Sequence, residues 1–371
     1  MKKTYKLGEL FCGAGGLALG ADMPEIKDSK GNIHTCSHIW ANDINEDACK
    51  TFAKNIMDGK SDMVLCEEVQ NIDLENLPRI NGLLFGFPCN DFSLVGEQKG
   101  MEGDHGPLYS YGVKTINYHH PNFFIAENVG GLSSADDGEA FRKILSDLKF
   151  AGSGYNITTH LYKFENYGVP QKRHRLVIVG FRKDLDIKFE VPAPTHENNY
   201  VSCKEALKDV EKAEFNNKKT NHAKKTVERL KHIPPGGNAW HPDVPEELRL
   251  NVKGCKMSHI YRRLEADKPS YTLTGSGGGG THVYHWDEPR ALTNRERARL
   301  QSFPDDFVFC GNKGSVRAQI GHAVPPRGAK VIMEAVLKSL AGIDYKSVPA
   351  SWQEQIDIYT KIDDQDENCV V

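Results

Sequence analysis

Leu7-Gly8-Glu9-Leu10-Phe11-Cys12-Gly13-Ala14-Gly15-Gly16-Leu17 is the stretch whose reading decides the fold. Residues 7 to 11 have the length and apolar character of a short strand, the glycines make a tight turn, and Leu17 onward reads as a helix. Glycine at such a turn lets backbone amides come close to a ligand where a β-carbon would obstruct. Taken alone the turn suits a dinucleotide, a flavin, S-adenosylmethionine or no ligand.

The same alternation continues outward from it. His38-Ile39-Trp40-Ala41-Asn42-Asp43 reads as a second strand ending in an acid, and Glu46 to Asn55 as a helix. Gly82 to Phe85 reads as a third strand running into Pro88-Cys89, Phe123 to Ala126 as a fourth running into Glu127, and Arg175 to Gly180 as a further apolar strand. Strands alternating with helices predict an α/β fold with a doubly wound, mostly parallel sheet. Such sheets bind ligands beyond the carboxyl ends of their strands, where all the chemically interesting residues except Arg173 and Arg175 are expected.

The 371 residues suffice for one large α/β domain and a smaller one. No apolar run approaches the roughly 20 residues of a membrane helix. Met1 to Lys6 leads into a strand instead of an apolar signal segment, so a cytoplasmic address without membrane contact is expected. Nine cysteines, at 12, 36, 49, 66, 89, 203, 255, 310 and 369, form no C-x-x-C pair and no zinc spacing, so no metal is expected and most thiols should be buried. The net charge of -3 hides an uneven distribution: residues 218 to 231 hold six Lys/Arg against one acid, and 351 to 371 six acids against one Lys. A basic surface for nucleic acid and a pair of solvated helix faces explain these runs equally well.

Residues 1–185 are expected to form the first domain. From 186 to 285 the texture changes to prolines, the basic run and Gly275-Ser276-Gly277-Gly278-Gly279-Gly280, which reads as an inserted, loop-rich module. A return segment follows over 286–345, with a helix over Leu292 to Phe303 opened by a Thr293/Glu296 capping box and a last amphipathic helix over 329 to 341. Residues 346–371 read as an acidic tail.

Three separated segments supply the chemistry. Pro88 holds Cys89 extended at a strand end, Glu127 follows four apolar residues that should raise its pKa, and Arg173 and Arg175 alternate so that on a strand they share a face. One of the arginines would reach a substrate oxygen and the other a phosphate or Glu127. A thiolate adding to C6 of cytosine, an acid protonating N3 and a cation on O2 would make C5 nucleophilic. The glycines between Asn90 and Gly106 suit a lid that excludes water. Asp43 is placed either to accept ribose hydroxyls or to cap the next helix.

From Leu7 to about Leu340 the order of these segments resembles the DNA (cytosine-5)-methyltransferases of bacterial and phage restriction-modification systems. The resemblance implies S-adenosylmethionine bound through Phe11, Gly13, Ala14, Gly15, Gly16, Leu17, Asp43, Ile44, Glu68, Val69, Gly86, Pro88, Leu108, His322 and Ala323. It implies Cys89 as nucleophile, Glu127 as proton donor, Arg173 and Arg175 as substrate-site cations, and Asn90 or a water for removal of the C5 proton. The inserted module is similar to the family's target-recognition domain, with Thr272, Thr274, Gly277 and Gly278, along with Ser93 and Val95, toward double-stranded DNA. Arg290 to Phe303 resembles the family's hinge segment. A monomer is expected, together with a restriction endonuclease acting on the same site. Four residues depart from the family pattern: Asn90 for Gln, Asp43 for Glu, Glu68 for Asp and His322 for Asn. An RNA cytosine methyltransferase and a catalytically silent DNA-binding relative are the alternatives. A dinucleotide oxidoreductase would leave Cys89, Glu127 and Arg175 without a role.

Overall fold

The computed structural model describes residues 1–88, 107–132, 138–251 and 257–352. Within them the chain divides into two compact units. The first comprises Met1–Lys163, His174–Ala193 and Ala329 onward, and the second Phe164–Arg173 and Pro194–Gly328.

The first unit is built on an eight-stranded sheet of β1 (Lys2–Leu10), β2 (Ile26–Lys27), β3 (Ile33–Asp43), β4 (Val64–Cys66), β5 (Gly82–Gly86), β6 (Phe123–Val129), β7 (Tyr155–Lys163) and β8 (His174–Arg182). The order is β2-β3-β1-β5-β6-β8-β7, with β4 also beside β3. Strands β1, β3, β4, β5 and β6 run parallel, while β8 is antiparallel to both β6 and β7. This is the mixed, mostly parallel doubly wound sheet expected from the sequence. Leu83 to Phe85 and Phe123 to Ala126 are buried continuously, as strands covered on both faces must be.

Helices α1 (Gly16–Asp22), α2 (Glu46–Ile56), α3 (Tyr109–His119) and α4 (Glu139–Phe150) follow the strands. Asn45 caps α2, its side chain accepting the Ala48 N–H at 2.9 Å, and Glu46 and Asp47 in the first turn complement the positive end of the helix dipole. Three strands begin before the spans read from sequence: β1 at Lys2, β3 at Ile33 and β8 at His174. In β1 the extension is solvent-facing, with Lys2, Lys3 and Thr4 exposed, so no apolar pattern marked it.

The second unit contains α5 (Cys203–Ala206), α6 (Lys224–Lys231), α7 (Asn294–Leu300) and α8 (Lys313–His322), joined by long irregular segments. The expected Thr293/Glu296 capping box opens α7: Thr293 Oγ1 accepts the Glu296 N–H and the Glu296 carboxylate accepts the Thr293 N–H. Cys203, Leu207, Leu264, Leu273, Val283, Leu292 and Leu300 form one core, and Leu230, Ile233, Ala239, Val244, Tyr261, Tyr284 and Ala291 a second. The units divide the chain at 193 and 328, where the sequence had suggested 185 and 285. Hydrogen bonds explain the capture of 164–173 by the second unit: Lys172 N–H donates to Ser270 O, Thr272 Oγ1 to Lys172 O and Leu273 N–H to the Gln171 side chain.

Helix α9 (Pro326–Ala341) returns to the first unit, where the Cys36 and Met333 sulfurs lie 3.6 Å apart. A two-stranded sheet of β9 (Val191–Pro192) and β10 (Ser347–Val348) follows. Among the described residues no helix is long and apolar enough to cross a membrane, and no cluster of His, Cys, Asp and Glu could hold a metal ion.

Candidate active site

The carboxyl edge of the parallel strands gathers the first unit's candidate residues. Phe11 and Gly13 leave β1 with φ of 55° and 52°, and Gly15 caps α1 at φ 88°, all in the left-handed region. Glycine takes that conformation without a β-carbon penalty, whereas Phe11 holds it at some cost. A β-carbon on Gly13 would meet nothing within 4 Å, so the turn presents open backbone.

Asp43, at the end of β3, fastens this turn. Its two carboxylate oxygens accept the Gly13 N–H and the Asn45 N–H, each at 2.8 Å. Asn45, not Asp43, caps α2. Ile44 beside it is 67% exposed, an apolar surface open among the described residues. Glu68 after β4 is exposed and Val69 is buried. Ala14, Gly16 and Leu17 are buried, while Gly86, Pro88 and Leu108 are half-buried. An acidic acceptor, an exposed apolar side chain and an open glycine backbone along one sheet edge suit the hydroxyls, ring and polar tail of an S-adenosyl nucleoside.

Two strands along, Glu127 pairs with Gly86 in register. Its carboxylate leans over that glycine, so a β-carbon there would lie 3.2 Å from Oε2. Arg175 Nε lies 2.9 Å from Glu127 Oε1, with both side chains about 14% exposed or less. Register explains the meeting: β8 is antiparallel, so its first residues lie beside the last of β6, with Arg175 opposite Val129. Asn128, buried, donates from Nδ2 to Phe87 O at 2.9 Å and ties β6 to the segment that enters Cys89. Cys89, Asn90, Ser93 and Val95, with the glycine-spaced lid segment, lie outside the described residues.

The expectation that Arg173 and Arg175 share a strand face does not hold. The strand starts at His174, and Arg173 precedes it in the second unit. There its buried guanidinium donates to the carbonyl oxygens of Leu273 at 3.1 Å, Gly321 at 2.9 Å and His322 at 3.3 Å. It therefore binds together three segments of that unit. His322 ends α8 and is exposed, with its ring against Gly275, where a β-carbon would lie 2.4 Å from Nε2; Ala323 follows it. Thr272 and Thr274 are exposed, and Thr272 Oγ1 donates to Lys172 O at 2.6 Å. Gly277 takes a φ of 129°, and Gly278 is exposed and extended at φ -167°.

Sequence reading passed over a charge cluster at the base of the glycine turn. His38 Nε2 lies 3.0 Å from Glu9 Oε2, and His38 Nδ1 lies 2.9 Å from Asp22 Oδ1. Burial alone would lower the His38 pKa, but the Asp22 and Glu9 carboxylates outweigh it and hold the imidazole up at about 10. Burial raises the Glu9 carboxyl, an effect that the neighbouring imidazolium offsets in part. These residues are far apart in sequence, and no local pattern signals their meeting.

A model of C-5 cytosine-specific DNA methylases matches residues 5–338. The type II methyltransferase M.BbvI of Brevibacillus brevis is 59% identical over 354 residues, covering 94% of this chain and 95% of that protein. The type II methyltransferase M.NgoFVII of Neisseria gonorrhoeae is 41% identical over 341 residues, covering 90% and 86%. A crystal structure of a DNA modification methyltransferase encoded within an E. coli prophage shares the fold, with a TM-score of 0.69 at 23% identity over 91% of this chain and 99% of that one. The chain belongs to the C-5 cytosine-specific DNA methylases and is a DNA (cytosine-5-)-methyltransferase, of a family whose methyl donor is S-adenosylmethionine.

Proposed function

We propose that Cys89, Glu127 and Arg175 carry the chemistry on a cytosine rotated out of duplex DNA, and that the second unit selects the sequence. The observation that supports this most is the Glu127–Arg175 pair, placed by register at the strand ends from which the Cys89 segment departs. Inside a duplex the C6 carbon is closed to a thiol, so the base must leave the stack at a cost of a few kcal/mol.

The Cys89 thiolate bonds to C6, the C5–C6 electron pair moves onto C5, and N3 takes a proton from the Glu127 carboxyl. Arg175 holds that carboxyl in place and offers a cation to O2. Phe11, the Gly13 to Leu17 turn, Asp43, Ile44, Glu68, Val69, Gly86, Pro88 and Leu108 would hold S-adenosylmethionine, which supplies an electrophilic methyl group for C5. After the methyl group joins C5, loss of the C5 proton to Asn90 or a nearby water restores the ring double bond and expels the Cys89 thiolate, and N3 returns its proton to the Glu127 carboxylate. Arg173 acts through the carbonyls it gathers within the second unit.

Relatives named as type II methyltransferases support a place in restriction-modification, beside an endonuclease that cuts the same unmethylated site. A monomer acting on cytoplasmic DNA in a bacterium or from a phage completes the reading. The test is a trap. Duplex carrying 5-fluorocytosine at the preferred site, incubated with enzyme and methyl donor, is expected to give a denaturation-resistant adduct that Cys89→Ala abolishes. Absence of the adduct from folded, DNA-bound wild-type enzyme refutes the mechanism.

A further inference from the structure

The basic run at 218 to 231 does not present a uniform charged face. Lys219 pairs with Glu288, Lys231 with Glu228, and Arg229 turns inward with 5% exposure. Arg229 Nε donates to Leu248 O at 2.6 Å, and its guanidinium lies 4.8 Å from the centroid of the Tyr261 ring. Tyr261 stacks on Tyr284, with ring centroids 5.4 Å apart and planes inclined by 28°. Arg229 and Tyr284 thus both pack against the Tyr261 ring, and the three planar groups make one connected pillar.

The pillar ends on the glycine loop. Tyr284, fully buried, donates its hydroxyl to Gly279 O at 2.7 Å. Tyr261 donates its backbone N–H to Gly280 O at 2.6 Å, from a left-handed conformation at φ 50° that a bulky residue rarely holds. A β-carbon on Gly280 would meet the Tyr261 ring at 3.0 Å, so glycine at 280 lets the loop lie directly on the pillar. On the outer side, β-carbons on Gly278 and Gly279 would meet nothing within 4 Å. Two successive carbonyls are therefore held from the inside while the opposite edge of the loop faces open space.

We propose that Arg229, Tyr261 and Tyr284 are positioning residues for sequence discrimination, fixing the 275–280 loop at the height and tilt from which its backbone meets base edges. The proposal rests on the reading that this loop contacts target DNA. Readout of a base edge depends on donor and acceptor placement, so a loop released from its two carbonyl anchors accepts wrong bases more readily. None of the three residues needs to touch DNA. Burial pushes the Tyr284 phenol well above its ordinary pKa, so its hydroxyl stays a donor across the working range.

The test uses the full chain. Bisulfite sequencing of DNA from cells expressing it identifies the preferred site. Then kcat/KM is measured on that site and on each single-base variant for wild type, Tyr284→Phe, Arg229→Lys and Gly278→Ala, with melting temperature and cofactor Kd in parallel. Tyr284→Phe keeps the stack and removes only the hydroxyl; Arg229→Lys keeps the charge and removes the planar face. Both are expected to lower the ratio of preferred to variant sites by about tenfold, with cofactor Kd unchanged. A uniform loss on all sites, or an unchanged ratio in both, overturns the proposal; if Tyr284→Phe does not fold, Arg229→Lys decides. Gly278→Ala adds a methyl group with no atom of the described residues within 4 Å, so a changed ratio there reports on DNA. If Gly278→Ala shifts the ratio and the pillar variants do not, the positioning role falls and loop recognition stands. If Gly278→Ala shifts nothing, recognition by this loop falls, and the pillar's role with it.

Discussion

Arg175 Nε lies 2.9 Å from Glu127 Oε1 across the antiparallel junction of β6 and β8, with both side chains largely shielded from water. Removing one partner leaves the other charge nearly buried and unpaired. Arg175→Ala is therefore expected to cost about 3–5 kcal/mol in stability as well as activity, and Glu127→Gln, which keeps an acceptor for the guanidinium but removes the compensating charge, a smaller part of that cost. If Glu127 supplies the N3 proton, Glu127→Gln lowers kcat by roughly 10²–10⁴-fold while the DNA Kd stays near wild type. Gel-shift affinity and single-turnover methylation, read together, check both. A kcat within a few-fold of wild type removes Glu127 from the chemistry.

Asp43 gives a second prediction, because its two oxygens are already engaged by the Gly13 and Asn45 amides. Asp43→Ala releases the turn and leaves two amide donors without their acceptor, at about 1–3 kcal/mol. The cofactor Kd should rise at least about tenfold, with DNA affinity in the absence of cofactor unaltered. Asp43→Glu, which lengthens the reach by one methylene, should recover part of the affinity. Isothermal titration with S-adenosylmethionine is the measurement, and unchanged affinity in Asp43→Ala places the cofactor elsewhere.

The strands that position these residues were legible because buried parallel strands spell themselves out as apolar runs: Gly82 to Phe85 before Pro88, and Phe123 to Ala126 before Glu127. Strand β7 carries Thr158, Thr159 and His160 through its middle, and that polar interior concealed it. Arg173 misled because alternation with Arg175 implies a shared face only if both are in the strand, and the strand begins between them. The pillar of Arg229, Tyr261 and Tyr284 and the Glu9–His38–Asp22 cluster join residues from distant segments. Tertiary structure creates those meetings, and no spacing rule anticipates them.

The second unit's own cores and its internal hydrogen bonds to 164–173 predict what a recognition swap must include. Exchanging 194–328 alone for the corresponding segment of a relative changes the surroundings of the Gln171 side chain, which bonds the Gln301 side chain and accepts the Leu273 N–H. A swap that also carries 164–173 is expected to give a stable enzyme with the donor's sequence preference, and the shorter swap a less stable one. Bisulfite sequencing and thermal melts distinguish them. An unchanged methylation pattern in the longer swap would assign recognition to the first unit.

The Glu9–His38–Asp22 cluster predicts a pH dependence whose sign follows from His38. Its pKa is held at about 10 in the folded protein against 6.5 for a free imidazole, so the native state binds the extra proton between those values. Its contribution to stability is therefore complete below about pH 6.5, declines as pH rises, and is lost once pH passes about 10. His38→Gln, which leaves the Glu9 and Asp22 carboxylates without their cation, should be less stable than wild type by about 3 kcal/mol at pH 6. That difference should shrink steadily toward pH 10, as wild type loses the same charge by deprotonation. Urea unfolding of both proteins from pH 6 to 10 tests this. A difference that stays constant over the range would mean that His38 does not carry the extra proton in the fold.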